Sequence, residues 1–189
     1  MIASSDTLSD ESGPDPAQDF ARRLLRPRAL DIGLRSGVFL SRQLPLHDQL
    51  VSALESHGAL VLSVSIDGEG LATPHERVRS AVSRELERQG RPRIEPYEDG
   101  ATLAVMLQML VDQAMADTVL ILEPIEYVCA EEPGQSLLRA LKSARDAINL
   151  QQNAKRHFLF IGVGSDHALL KKLVTGSDQA FLGATFIDS

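Results

Sequence analysis

The sequence predicts an α/β fold with a mainly parallel sheet flanked by helices in three layers. Short apolar runs alternate with amphipathic stretches along the 189 residues. The runs are nearly continuous in apolar character, as strands covered on both faces are. The stretches between them carry helix caps and helical spacing. Strand–helix–strand alternation of this kind places helices on both sides of a parallel sheet.

The N-terminal residues 1–19 hold five acids (Asp6, Asp10, Glu11, Asp15, Asp19) and no Lys or Arg, among Ser, Pro, Gly and Ala. That composition predicts an acidic, disordered tail, with residues 20–189 forming one domain. A basic patch follows: Arg22, Arg23, Arg26 and Arg28. It reads as a helix face that folds back on the acidic tail or stays wet, with an anion or partner site as the sharper alternative.

The run Gly37–Ser41 is the first predicted strand, and Pro45 opens a helix with Leu46, Leu50 and Leu54 on one face and Gly58 beyond it. Ala59–Ile66 is the second strand. Thr73-Pro-His-Glu76 is a capping box with proline at the first helical position; Val78, Ala81, Val82 and Leu86 form its stripe and Gly90 stops it. Arg91–Gly100 reads as a loop. Residues 101–116 read as a helix whose Met106, Met109 and Met115 fill core. Thr118–Leu122 is the third strand. Leu137, Leu138, Leu141, Ala144 and Ile148 mark the next helix, and His157–Val163 the fourth strand. Ser165 is the expected cap of a short helix with Leu169, Leu170 and Leu173, and Ala184–Ile187 is a last, weaker strand.

Composition narrows the function classes. Hydrophobic residues at 43% and charged residues at 24% describe a globular chain. The one cysteine, Cys129, excludes an internal disulfide, argues against a Cys-based zinc site and points to a reducing, cytoplasmic compartment. Among acids of the 126–132 stretch, its thiol pKa should be raised, against a nucleophile role. No run approaches the roughly 20 apolar residues of a membrane span. A net charge of −7 argues against a nucleic-acid partner. The five histidines show no zinc-ligand spacing, so no metal site is expected. His157 is expected to flank a strand and satisfy a backbone group. Gly162-Val-Gly164 lacks the third glycine of a dinucleotide fingerprint, and Ser165, Asp166 and His167 are too close in sequence to form a triad. Asp67 and Glu69 read as turn acids.

In open α/β sheets, ligands gather at the carboxyl ends of strands. There the chain offers Ser41-Arg-Gln-Leu-Pro45, Asp67-Gly-Glu-Gly70, Glu123-Pro-Ile-Glu126 and Gly162-Val-Gly-Ser-Asp166. Four segments resemble a known family: Leu54–Val61, Ala140–Asn149, Gly164–Val174 and Gln179–Ala184. Together they resemble bacterial AAA+ ATPases related to the origin-recognition and STAND-type P-loop NTPases. Gly164–Val174 is similar to their sensor-1 turn and following helix. The resemblance covers roughly residues 20–189. It implies a P-loop NTPase-like (ASCE) sheet, a Walker A loop after the first strand and a Walker B acid after the third. It also implies a helical lid, so a chain ending at Ser189 is expected to be a lidless module, either a truncated form or one whose remainder lies in another chain.

The catalytic parts that the resemblance implies are degenerate. A P-loop, G-x-x-x-x-G-K-[ST], uses glycines to turn backbone N–H groups onto phosphate and a lysine to reach the outer phosphates. The lysines here are Lys142, Lys155, Lys171 and Lys172, all after the third strand. Ser41, Arg42 and Gln43 stand where the family has Gly, Lys and Ser or Thr. Glu123 and Pro124 replace the acidic pair, which removes the general base. Glu126 reads as a solvated loop acid rather than a substitute base. The expectation is therefore a catalytically inactive AAA+-like module with no catalytic residue. Its nucleotide site is vestigial (Ser41, Arg42, Gln43, Glu123, Ser165), its ATP/Mg binding weak or absent, and its role protein interaction, regulation or scaffolding, possibly beside an active homologous ATPase. The alternatives are an atypical ATP-binding enzyme using Arg42, Glu123 and Ser165, or a small-molecule-binding α/β protein of another lineage.

Overall fold

A computed structural model describes residues 15–25, 36–40, 45–66, 72–90, 102–151, 154–175 and 185–188. The elements alternate as expected: α1 (Pro16–Leu25), β1 (Ser36–Leu40), α2 (Pro45–Ser56), β2 (Leu60–Ser65), α3 (Pro74–Arg88), α4 (Leu103–Ala114), β3 (Thr118–Glu123), α5 (Ile125–Ala130), α6 (Glu132–Asn149), β4 (Phe158–Gly164), α7 (His167–Thr175) and β5 (Thr185–Asp188). The strands form one parallel sheet in the order β2-β3-β4-β1-β5.

Strand periodicity divides the sheet's side chains between two cores. Leu120 and Leu122 of β3 and Phe158 and Phe160 of β4 face α3, α4, α5, α6 and α7. Val119, Ile121, Leu159, Ile161 and Val163 face α1 and α2, where Phe20, Leu24, Leu50 and Leu54 are fully or almost fully buried. Every side chain of β4 is buried, which is why its sequence shows no polar alternation. The fold is therefore a three-layer α/β arrangement.

The helix boundaries follow from local chemistry. Thr73 and Glu76 close the capping box: Glu76 N–H donates to Thr73 Oγ1 at 3.3 Å, and Thr73 N–H donates to Glu76 Oε2 at 2.7 Å. Gly58 and Gly90 sit at φ +84° and +85° just past α2 and α3, where a Cβ would be strained.

Several expectations change. α1 begins at Pro16, so the last residues of the expected tail are helical; Asp15 accepts from Ala17 N–H, and residues 1–14 lie outside the described residues. Arg22 and Arg23 do fold back on an acid, Asp19, each at 2.5 Å. The Arg22 guanidinium, then Arg23, holds that carboxyl below its ordinary value. Arg26 and Arg28, the Arg91–Gly100 segment, Asp67, Glu69 and Gln179–Ala184 lie outside the described residues. Met106 is buried and Met109 packs on the core, but Met115 is 70% exposed: it ends α4 in the left-handed conformation, φ 58°, and points away from the core. Residues 125–130, expected as loop, form α5, anchored by buried Ile125 and Val128.

Candidate functional site at the carboxyl edge of the sheet

Strand register brings three strand ends side by side. Leu40 at the end of β1 pairs with Gly164 at the end of β4. β3 pairs with β4 through Leu122 and Gly162, and Glu123 follows one residue on, opposite Ser65 of β2. The edge therefore collects the end of β1, Glu123 and the β4–α7 turn with Ser165. Ser41, Arg42 and Gln43 fall in the connection between Leu40 and Pro45 and lie outside the described residues.

That connection is four residues long, 41–44. A P-loop runs six residues from its first to its second glycine before the lysine is reached. With Arg42 at the lysine position, the preceding loop residues would have to come from 36–40. Those residues are strand: Ser36–Leu40 pairs with Phe160–Gly164 on one side, and Gly37–Leu40 with Thr185–Asp188 on the other.

Glu123 ends β3 half-buried, and its backbone carbonyl accepts from Ile66 N–H at 2.6 Å. Pro124 follows as the N-cap of α5 without a side-chain cap bond. Glu126, in the first turn of that helix, is not a solvated loop acid. Its Oε1 accepts from Ser165 N–H at 2.5 Å, Ser165 Oγ at 3.2 Å and Asp166 N–H at 2.9 Å. Its Oε2 is buried with no hydrogen-bond partner among the described residues. Gly164 makes this approach possible, since a Cβ there would lie 2.7 Å from both Glu126 oxygens.

The cap of α7 is also corrected. Asp166, not Ser165, accepts from Leu169 N–H, at 3.0 Å. Ser165 turns its hydroxyl to Glu126 instead. Sequence reasoning missed both roles: Ser and Asp are equally good caps, and the bond to Glu126 joins residues 39 apart.

The neighbouring side chains are structural. Cys129 lies on α5, and burial first, Glu126 second, pushes its thiol up to about 11. His157 uses its N–H to donate to Asp117 Oδ1 at 2.8 Å, and its ring Nδ1 lies 3.3 Å from the same oxygen, at the start of β4. His157 thus flanks β4 as expected, and the side chain of Asp117 satisfies its backbone N–H. Among the described residues no cluster of three His, Cys, Asp or Glu could hold a metal ion, and no helix is long and apolar enough to cross a membrane.

No family model matches the chain, and no curated protein matches it. Among solved structures it is similar to the ORC2 protein of Aeropyrum pernix in its ADPNP–ADP complexes, at 18% identity and a TM-score of 0.53. It is similar to the ADP form of the same protein at 18% identity and 0.52. The likeness covers 90% of this chain but only 44% and 46% of those proteins, so the chain spans less than half their length. At this identity the likeness speaks to architecture alone: the chain has a three-layer, P-loop NTPase-like α/β fold.

Proposed function

We propose that this chain is a catalytically inactive AAA+ module that works through protein contacts, as a regulatory, adaptor or scaffold subunit in the cytoplasm. Its partner is a protein, with an active homologous ATPase as one candidate. The observation that carries this reading is the absence of any lysine before Lys142, which leaves no ammonium for the turn after β1 in any register.

The geometry around that turn supports it. Backbone N–H groups of β1 lie in a strand paired on both sides, not in a nest converging on an anion. On the other side of the edge, the Ser165 and Asp166 amides already serve Glu126. Pro124 stands where a base would polarise water. Each charge-assisted phosphate contact contributes on the order of 1.5–3 kcal/mol. Losing the lysine and two nest donors removes about 5 kcal/mol, which moves a micromolar site beyond millimolar. The residues present do not fit a nucleoside triphosphate with magnesium.

Calorimetric titration of the protein with ATP and magnesium tests this, with no heat of binding expected. The atypical-enzyme reading gains support from the shared edge that holds Glu123 and Ser165. It requires micromolar binding that Arg42→Ala abolishes, and that result would overturn the proposal. Affinity co-purification followed by mass spectrometry should return a protein partner in fixed ratio; isolation of the chain alone under gentle conditions counts against the scaffold role.

A further inference from the structure

Glu126 sits where an incoming anion would sit. Two consecutive amides, Ser165 and Asp166, precede α7 and donate to one carboxylate oxygen, and the Ser165 hydroxyl joins them. Converging N–H groups at the start of a helix attract negative charge. Here the charge comes from the protein itself, from α5 across the sheet edge. Gly164 leaves the space that the carboxylate fills, with both oxygens 2.7 Å from where a Cβ would be. The second oxygen is buried without a partner among the described residues, which opposes the contact. A carboxylate with three donors on one oxygen and a buried, unpartnered second oxygen is a closed state with a countervailing cost, as a releasable contact requires.

We infer that Glu126 is an internal latch: its carboxylate stands in for an external anion at the Ser165–Asp166 turn and holds that turn closed without ligand. This deepens the inactive-module reading, because a turn that a ligand would otherwise set is preset by the chain. Glu126 is a positioning residue, acting through the turn. Two substitutions reach it from opposite sides. Glu126→Ala removes the carboxylate. Gly164→Ala keeps it but drives it out, since the far end of the Glu126 side chain is what can yield. Glu126→Gln retains a carbonyl oxygen for the same donors and restores the latch.

The test follows the Ser165 and Asp166 amides by NMR, with hydrogen exchange and a titration with sodium phosphate. In the wild type and Glu126→Gln both amides exchange slowly and ignore phosphate. In Glu126→Ala and Gly164→Ala their exchange rises about tenfold or more, and phosphate shifts these two amides. A merely structural side chain would not create that anion response. Unchanged exchange and no phosphate shift in both alanine variants overturn the latch. So does a phosphate shift of these amides in the wild type. ATP added to the wild type separates the two readings: binding that leaves Ser165 and Asp166 unmoved overturns the inactive module alone.

Discussion

Replacing Asn149 with alanine should cost more than its single side chain suggests. Asn149 ends α6 and is 2% exposed. Its amide donates to the Phe158 carbonyl and its carbonyl accepts from Phe158 N–H, both at 2.8 Å. β1 starts opposite Phe160, so among the described residues Phe158 has no strand neighbour on that side. The Asn149 side chain therefore completes the ladder where β1 has not yet begun. Asn149→Ala leaves two buried backbone groups unmet, each costing about 1–3 kcal/mol. The sum is roughly 2–6 kcal/mol, or about 4–24 °C in Tm for a domain of this size. Urea denaturation followed by circular dichroism measures it, and hydrogen exchange at Phe158 locates it. Asn149→Asp keeps the acceptor and loses the donor while burying a charge. Its deficit relative to wild type should shrink as pH falls and the carboxyl gains a proton. A loss below about 1 kcal/mol for the alanine variant would refute the idea that the side chain substitutes for a strand.

Gly134→Ala should destabilise by about 3 kcal/mol or more, because the new Cβ would lie 2.0 Å from the Val128 carbonyl oxygen, and backbone cannot swing aside; a near-wild-type urea midpoint would contradict this. Thr73→Ala removes the capping box and should cost about 1 kcal/mol, read by the same denaturation. Cys129 should resist iodoacetamide at neutral pH, its rate rising only toward pH 11. Because its folded pKa is raised, the stability linked to that thiol is complete below the unfolded value and is lost as pH rises toward 11; a reactivity midpoint near an ordinary thiol value would show the site to be open. His75 is held below its ordinary value by burial and then by Arg79. Protonating it in acid disfavours the folded state, so His75→Gln should flatten the stability loss below about pH 6.5.

Much of the architecture was legible because local signals agreed with one another. Thr73, Pro74 and Glu76 marked the start of α3, and Gly90 its end, from chemistry within a single turn. The apolar runs were legible as strands because both sheet faces are covered, which leaves β4 without a polar residue and β3 with none between Thr118 and Glu123. α5 was not, since six residues with two buried anchors give no periodicity to detect. The extended start of α1 escaped for a related reason: Pro16 and Asp19 look like tail by composition, yet Asp19 joins a helix through Arg22 and Arg23. In the candidate site, Glu123 and Ser165 were identifiable from their positions after strands. The role of Glu126 was not, because it depends on a turn 39 residues away and on a glycine that only the folded chain brings beside it.

The same contacts predict that introducing the motif residues alone will not confer nucleotide binding. Ser41→Gly, Arg42→Lys and Gln43→Thr together recreate Gly-Lys-Thr after β1. The lysine would add on the order of 1.5–3 kcal/mol of phosphate contact. To wrap a phosphate, residues 36–40 would have to leave β1, which is hydrogen-bonded to β4 and β5 at once. Giving up several ladder bonds at about 1 kcal/mol each costs more than the lysine returns. Across the edge, Glu126 still holds the Ser165 and Asp166 amides and would repel a phosphate through like charge. The triple variant should therefore show no binding tighter than millimolar by calorimetry, and adding Glu126→Ala should improve this only modestly. Micromolar ATP binding by the triple variant would mean that β1 yields easily, and that the lost lysine alone, not the paired strand, had silenced the site.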